Sequence, residues 1–232
     1  MKNYFELRDV DPETYKKYKL PRYLKRELGD NKMLRILDLG CGYGQMLLRL
    51  KNYGYTNIQG ADILKDCVDY CQKMELKATH IQSISEFAAS IPEKFDVVIM
   101  SHVLEHIPKD EIIPNLKAIR EGLLKPGGRL LVMVPNAQSN TNVYWRYEDF
   151  THNLLFTAGS LQYVLKAAGF NNITFLDPSG TYDLPVYARP VFRFFQWLYH
   201  LNRKFWNLIT LSYYHKPSPV IYTYELKARA HD

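Results

Sequence analysis

Residues 36–44 read Ile-Leu-Asp-Leu-Gly-Cys-Gly-Tyr-Gly, and this stretch decides the fold. An apolar run from Met33 to Leu39 ends in glycines at alternate positions, Gly40, Gly42 and Gly44, and apolar residues at helical spacing follow. The pattern predicts a buried strand, a tight glycine turn and a helix start. Glycine tolerates positive φ and lets a ligand lie against the backbone, while the helix N-terminus offers N–H groups without helical partners.

The glycine spacing separates two classes of nucleotide site. A dinucleotide fingerprint, G-x-G-x-x-G, would need a glycine at position 45, where this chain has Gln45. The chain instead has D-x-G-x-G-x-G, which begins at Asp38. A second strand is predicted from Tyr55 to Ala61, and it ends at Asp62. An acid at the end of the second strand is well placed to accept hydrogen bonds from ribose hydroxyls.

Strand and helix patterns alternate from Met33 onward. Strands are predicted at 34–39, 57–61, 78–82, 95–100, 129–134, 170–176 and 220–227, and helices at 44–53, 64–74, 84–90, 110–124 and 157–168. This alternation predicts an α/β fold, with a doubly wound, mostly parallel sheet of seven strands, helices on both faces and ligands at the carboxyl ends of the strands. Residues 1–32 predict an N-terminal helical cap on a domain that spans 33–232.

Composition excludes several classes of protein. The three cysteines, Cys41, Cys67 and Cys71, form neither a disulfide framework nor a zinc pattern, so we expect a reducing, cytoplasmic setting. We find no signal-peptide pattern and no apolar stretch that could span a bilayer. The net charge of +6 suits an anionic small substrate or an acidic membrane surface rather than nucleic acid.

The segment 177–219 is far longer than an ordinary connection between strands. Its part from 184 to 216 contains no acid and carries arginines and lysines among many aromatic residues, which predicts a helix or helix pair inserted before the last strand. Three interpretations stay open. The segment is an accessory layer packed on the domain or on a second subunit, as in a homodimer; a substrate lid; or a peripheral contact with the inner face of the membrane.

The D-x-G-x-G-x-G pattern resembles motif I of the class I S-adenosylmethionine (SAM)-dependent methyltransferases. The segments Phe95–Val98 and Leu124–Gly128 are similar to this superfamily's fourth strand and to the turn before its fifth. Val103–Ile107 resembles the Leu-Glu-His loop of O-methyltransferases of ubiquinone biosynthesis. The resemblance covers about residues 33–176, and it implies a Rossmann-like sheet and SAM as the cofactor.

The resemblance also implies a set of cofactor-binding residues. They are Asp38, Gly40, Cys41, Gly42, Gly44, Asp62, Ile63, Ser83, Ile84 and Ser101. Asp62 would accept both ribose hydroxyls, Ile63 would lie against adenine, and Ser101 would line the methionine end. Many members have an aspartate where this chain has Ser83.

A first chemical cluster, His102, Glu105 and His106, follows the fourth strand. His106 is the leading candidate for the base that takes a proton from the acceptor, because an imidazole titrates near neutral pH. In ubiquinone-type enzymes the loop reads Glu-x-x-Glu-His and is associated with a metal ion. Here His102 replaces the first acid, and magnesium prefers oxygen ligands, so we predict no metal and keep these three residues as its only candidate ligands.

A second cluster, residues 144–152, follows the fifth strand and ends in Asp-Phe-Thr-His. Arg146 and Tyr147 are candidates for binding the acceptor, and Asp149 and His152 for sharing a proton; a structural loop is the alternative. The run resembles methyltransferases of surface-polysaccharide biosynthesis. Tyr18 and His102 are further candidates for binding the acceptor, and Tyr18, with Tyr4 and Tyr15, is a candidate for a lid over the cofactor.

These observations predict SAM-dependent methyl transfer to an oxygen of a small molecule, with a sugar or surface-glycan precursor as the acceptor. The alternative acceptors are a quinone precursor, a carboxylate or a phosphoryl-type oxygen. A nucleic-acid methyltransferase is disfavoured because Ser101-His102-Val103-Leu104 stands where an Asn-Pro-Pro-Tyr-type motif would follow the fourth strand. A non-catalytic cofactor-binding domain is disfavoured by the intact glycine loop and Asp62.

Overall fold

The protein is described here from a computed structural model, which covers residue 7 and residues 11–232. Tyr4 and the side chain of Tyr15, both considered above as parts of a lid, lie outside the described residues.

A seven-stranded sheet forms the centre of the molecule. Its strands are β1 (Ile36–Leu39), β2 (Ile58–Asp62), β3 (Ala78–His80), β4 (Phe95–Ser101), β5 (Leu124–Pro135), β6 (Asn172–Phe175) and β7 (Glu225–His231). The order across the sheet is β3-β2-β1-β4-β5-β7-β6, and β7 runs antiparallel to both of its neighbours. The predicted α/β fold, with its mostly parallel sheet of seven strands, is confirmed.

Eight α-helices accompany the sheet in the described part of the chain. They are α1 (Arg22–Leu28), α2 (Gln45–Asn52), α3 (Lys65–Lys73), α4 (Ile84–Ser90), α5 (Ile112–Ala118), α6 (Asn142–Glu148), α7 (Ala158–Ala167) and α8 (Arg189–Ile209). Two 3₁₀ helices, Pro12–Lys17 and Leu104–His106, precede α1 and follow β4. A π-helical turn, Ile119–Leu123, extends α5 toward β5.

Alternation along the buried strands divides the core into two layers. In β4, Val97 and Ile99 pack on one face of the sheet with α1 and α2, whereas Val98 and Met100 pack on the other with α5 and α7. The same alternation continues in β1 and β5. Both faces are covered, as a parallel sheet requires, and the polar carboxyl ends of the strands remain for a site.

One prediction about the C-terminal part is wrong in detail. The last strand was expected at 220–227 but occupies Glu225–His231. Residues 220–224 run outside the sheet, because the Asn136 side chain donates hydrogen bonds to the carbonyl oxygens of Ile221 and Thr223. Of the helix or helix pair expected in the inserted segment, the structure has the single long helix α8. No helix within the described ranges is both long and apolar enough to cross a membrane.

The N-terminal residues do more than cap the domain. Tyr23, Leu24 and Leu28 of α1 are buried in the core layer that also holds β1 and β4. Tyr18, just before α1, is half exposed, and its ring lies under the guanidinium of Arg49 in α2 at 5.1 Å.

The glycine turn after β1 has a conformation that few other residues adopt. Gly40, Gly42 and Gly44 all have positive φ, at 79°, 49° and 81°. A Cβ on Gly44 would also lie 2.8 Å from Leu76 Cδ1 and 3.0 Å from Cys71 Sγ. Backbone strain and close packing therefore both require glycine at position 44.

We expect Gly44→Ala to lower the free energy of unfolding by about 2–4 kcal/mol, the sum of left-handed backbone strain and overpacking. Gly54→Ala is the matched control, since Gly54 has φ 96° but open space where its Cβ would lie. Urea denaturation of both variants measures the difference. Equal losses in the two variants would show that packing against Leu76 and Cys71 contributes nothing.

Candidate functional site

Two acids lie at the carboxyl ends of the neighbouring strands β1 and β2, and the sheet brings them close together. Asp62 is buried, and its carboxylate accepts hydrogen bonds from the backbone N–H of Gly42 at 2.7 Å and of Leu64 at 2.8 Å. The second strand's acid therefore holds the glycine turn in place. The Ile63 side chain, directly after β2, is 62% exposed, which leaves an apolar surface next to the carboxylate.

Asp38 in β1 is buried close to Asp62. Burial, and next the negative charge of Asp62, raise the pKa of Asp38 from 3.8 to about 7, against the opposing charge of Arg49. The carboxyl is therefore poised to ionise when a cationic group arrives beside it. An amino group, such as that of the SAM methionine part, has the required charge.

The other predicted cofactor residues lie around the same edge. The Cys41 side chain is buried against Cys71, and the hydrogen bond between the two thiols, followed by burial, raises the pKa of Cys41. Ser83 caps α4, accepting a hydrogen bond from Glu86 N at 3.1 Å, and Ile84 begins that helix. Ser101 is the last residue of β4. Their contacts with a cofactor stay predictions.

The residues present fit SAM. The N-cap residue of α2 is a glycine, so no side chain caps the helix. The N–H groups and the dipole of its N-terminus are therefore available to a ligand. A buried carboxylate suited to ribose hydroxyls and an exposed isoleucine suited to adenine stand next to each other at Asp62 and Ile63.

The loop after β4 is clamped to the loop after β5. Glu105 lies in the short 3₁₀ helix Leu104–His106, and its carbonyl oxygen accepts hydrogen bonds from Asn153 N at 2.8 Å and Leu154 N at 3.3 Å. The Asn153 side chain in turn donates to the carbonyl oxygen of His106 at 2.7 Å. The two predicted chemical clusters thus form one site.

His102 bridges two buried carboxylates. Its Nδ1 lies 3.2 Å from Glu105 Oε1, and its Nε2 lies 2.8 Å from Glu225 Oε1. Desolvation favours the neutral ring, but the hydrogen bonds and charges of the two carboxylates outweigh it and raise the pKa of His102 to about 10. Because both nitrogens are engaged, His102 is a positively charged cross-link between the two carboxylates, and its contact with the acceptor stays a prediction.

His106 has the geometry and charge state of a general base. The Thr151 hydroxyl donates to Asp149 Oδ1 at 2.6 Å, so its oxygen accepts the proton of His106 Nδ1 at 2.8 Å. In the neutral ring Nε2 is then the unprotonated nitrogen. Desolvation lowers the pKa of His106, with the charge of Glu105 acting in the opposite direction. Neutral imidazole therefore prevails at physiological pH.

His152 lies against His106, with ring centroids 4.7 Å apart. It is buried, and its Nδ1–H donates to the Trp145 carbonyl oxygen at 2.6 Å. Its Nε2 lies 4.0 Å from Glu105 Oε1 and 3.7 Å from Asp149 Oδ2. Asp149 thus reaches His106 through the Thr151 hydroxyl and does not directly hydrogen-bond His152, with which it was expected to share a proton.

A group with metal-ligand spacing exists here, but it differs from the predicted set. Ligand atoms of Glu105, His106 and His152 lie within 4.8 Å of one another, with His152 in place of His102. Glu105 is fully buried, and its Oε2 has no hydrogen-bond partner. Nδ1 of both histidines is engaged in a hydrogen bond, so Nε2 is the potential metal-binding atom of each ring. Two imidazoles and one carboxylate suit a transition metal better than magnesium.

The remaining candidates for acceptor binding lie on α6, which has no buried residue. The Arg146 guanidinium donates to the carbonyl oxygen of His152, so this side chain holds the loop in place. Tyr147 is 74% exposed beside it.

Three residues of the site escaped the sequence reasoning. Thr151 connects Asp149 to His106, Asn153 clamps the two loops, and Glu225 holds His102. Thr151 lies within the predicted cluster 144–152 but was given no chemical role there. The Asp-Phe-Thr-His run could have revealed its role, whereas nothing near position 225 points to the loop after β4.

Comparisons with known proteins agree with this geometry. A family profile described as a methyltransferase domain matches residues 13–174. Ubiquinone biosynthesis O-methyltransferase of Klebsiella pneumoniae is 25% identical over 196 residues, which cover 83% of this chain and 69% of the relative. The corresponding protein of Proteus mirabilis is 26% identical, over 77% of this chain and 64% of its own length. This chain thus spans about two thirds of the relatives that it matches.

Solved structures show the same fold. A SAM-dependent methyltransferase from Archaeoglobus fulgidus superimposes with a TM-score of 0.68, at 20% identity, over 99% of this chain and 100% of that one. Human N-acetylserotonin methyltransferase, solved in complex with SAM, has a TM-score of 0.54 at 14% identity, over 98% of this chain and 53% of its own. Since the family profile covers more than half of the chain, the chain belongs to the methyltransferase-domain family, within the class I SAM-dependent methyltransferases.

Proposed function

We propose that the protein transfers the methyl group of SAM to a hydroxyl oxygen of a small phenolic molecule of the quinone-precursor class. The neutral His106 imidazole, oriented through Thr151 and Asp149, is the observation that carries this proposal. The relatives named above are O-methyltransferases of ubiquinone biosynthesis. They favour the quinone-precursor alternative over the sugar acceptor that the Asp-Phe-Thr-His run suggested.

SAM, when bound, supplies a methyl group on a positively charged sulfur. The chain's own contribution is to remove the acceptor's proton as the oxygen attacks. His106 Nε2 takes this proton, and the Thr151 oxygen keeps hold of Nδ1–H. The imidazolium that forms is stabilised by the nearby charges of Glu105 and Asp149, which both favour the protonated ring.

The low basicity of His106 favours an acceptor whose hydroxyl group is comparatively acidic. Burial lowers the pKa of His106, so the ring accepts protons less readily than a free histidine. A phenol, with a pKa of about 10, is a far better match than an aliphatic sugar hydroxyl. The base therefore supports a phenolic oxygen as the acceptor.

A divalent cation at Glu105, His106 and His152 is the second candidate for activating the acceptor. It is favoured by the buried Oε2 of Glu105, which lacks a hydrogen-bond partner. Such an ion would polarise the acceptor hydroxyl and lower its pKa. His106 Nε2 would then be a ligand and unable to act as the base, so the two candidates exclude each other.

A methyl-transfer screen tests the acceptor class. We expect methyl ethers, detected by mass spectrometry, from phenols and catechols with SAM, and no product from nucleotide sugars or free saccharides, because His106 is a weak base. Products from the saccharides alone would reject the phenolic acceptor. Calorimetry with SAM alone separates this result from failure of the cofactor site.

We expect His106→Ala to lower kcat about a hundredfold or more while the Kd for SAM stays unchanged, since the ring acts on the acceptor's proton. His231→Ala, at the opposite end of the sheet, is the control. The wild-type kcat/KM should rise with pH through a pKa below 6.5 and then stay level, because the base must be unprotonated.

Chelation decides between the base and the cation. If His106 is the base, dialysis against EDTA leaves turnover intact. Loss of turnover that Mn²⁺ or Zn²⁺ restores would assign His106 to a metal site instead.

Asp38→Asn tests the buried carboxyl beside the glycine turn. The native state holds the Asp38 proton up to about pH 7, whereas the unfolded chain releases it near 3.8, so wild-type stability falls as pH rises between these values. We expect the variant to lose this slope and to gain several degrees in Tm relative to wild type between pH 5 and pH 8, while its affinity for SAM drops. Asp66→Asn, exposed on α3, is the control, and an unchanged slope would contradict a raised pKa.

A further inference from the structure

The long helix α8 faces the domain with its polar edge, whereas an ordinary amphipathic helix packs on the domain with its apolar side. The 21 residues of α8 include none that are buried. The residues that are at least partly covered belong to its polar edge and are Arg189, Tyr199, His200, Arg203 and Asn207. Its large apolar side chains are all between 40% and 62% exposed. Phe192 and Phe195 line a cavity between the helix and the body of the protein, and the remaining apolar side of the helix faces outward.

Specific contacts fix this orientation. Gln196 Nε2 donates to the Ser179 carbonyl oxygen at 2.7 Å, and the Tyr199 hydroxyl donates to Asn140 Oδ1 at 2.6 Å. At the first turn, Arg189 donates to the Tyr182 carbonyl oxygen at 2.9 Å. The polar edge is therefore attached to the body of the protein at several points along the helix.

The outward side is continuous and large. At 3.6 residues per turn, Phe194, Leu198, Leu201, Phe205 and Ile209 share one stripe, opposite the polar edge. Two exposed tryptophans, on either side of this stripe, widen it. An exposed apolar surface of this extent marks an interaction site.

Charge identifies the partner. The segment from 184 to 216 contains no aspartate or glutamate. Arg193 and Lys204 are exposed and, eleven residues apart, lie on the same edge of the helix beside Trp197. A second copy of this surface would bring like charges together without an acid from the segment to pair them, whereas an anionic lipid surface complements both the cations and the apolar stripe.

We infer that α8 attaches the protein to an anionic bilayer. The helix lies in the plane of the interface, with its stripe among the acyl chains and Arg193 and Lys204 among the lipid phosphates. Aromatic side chains with one apolar and one polar end suit this depth. The attachment is independent of the methyl acceptor, so it stands or falls separately from the proposed function.

Vesicle flotation of the full chain tests this. We expect binding to vesicles of equimolar phosphatidylcholine and phosphatidylglycerol that weakens with added salt, and little binding to phosphatidylcholine alone. Arg193→Gln with Lys204→Gln should weaken the binding about thirtyfold. The matched control, Lys51→Gln with Lys73→Gln, removes two exposed lysines from α2 and α3 and should bind almost as wild type does.

Phe194→Ser with Phe205→Ser tests the apolar stripe, and circular dichroism checks that this variant folds. We expect it to lose vesicle binding and the blue shift of tryptophan fluorescence that lipid induces in the wild type. Absence of wild-type binding to anionic vesicles would overturn the inference. An equal loss of vesicle binding in the Arg193/Lys204 double variant and in the Lys51/Lys73 control would do the same. So would a dimer in sedimentation that the phenylalanine substitutions dissociate while vesicle binding persists.

Discussion

The buried carboxylate of Glu105 is the constraint around which the site is built. A carboxylate without solvent costs several kcal/mol unless a positive charge and hydrogen bonds compensate it. His102 supplies the charge, and it is held by a second buried acid, Glu225, on a strand more than a hundred residues away. The loop after β4 is thereby fastened to β7. His102 accepts a positive φ of 56° there, a strain that its two ion pairs offset.

The same carboxylate determines what its neighbours can do. Its charge favours protonation of His106, while the buried surroundings oppose it. The balance leaves His106 as a neutral imidazole next to an acid that favours its protonated form. The pKa of His102 is raised instead, because two carboxylates favour its charged form. Two histidines four residues apart thus have opposite charge states, and only their contacts distinguish them.

Local sequence was sufficient for most of the fold. Apolar runs and glycine turns predicted β1 to β4 and the helices between them because the inner strands β1, β2 and β4 are buried on both faces. It failed at β7, which contains the charged Glu225, Lys227 and Arg229, whereas the segment before it is apolar. Lys227 lies 3.9 Å from Asp177 and 3.6 Å from Glu225, and such compensation appears only once distant segments are folded together.

The site and α8 show the same limit. Sequence placed His106 and His152 among the candidates because both follow strands that end at one edge, but it could not show that Thr151 connects Asp149 to His106. In α8, periodicity establishes an apolar and a polar side without showing which of them faces the domain. An apolar stripe packed on the sheet would be ordinary core. In this structure Ser179 and Asn140 accept hydrogen bonds from the polar edge, which water could otherwise accept. The polar edge therefore faces the body of the protein, and the apolar side is left exposed for an apolar partner.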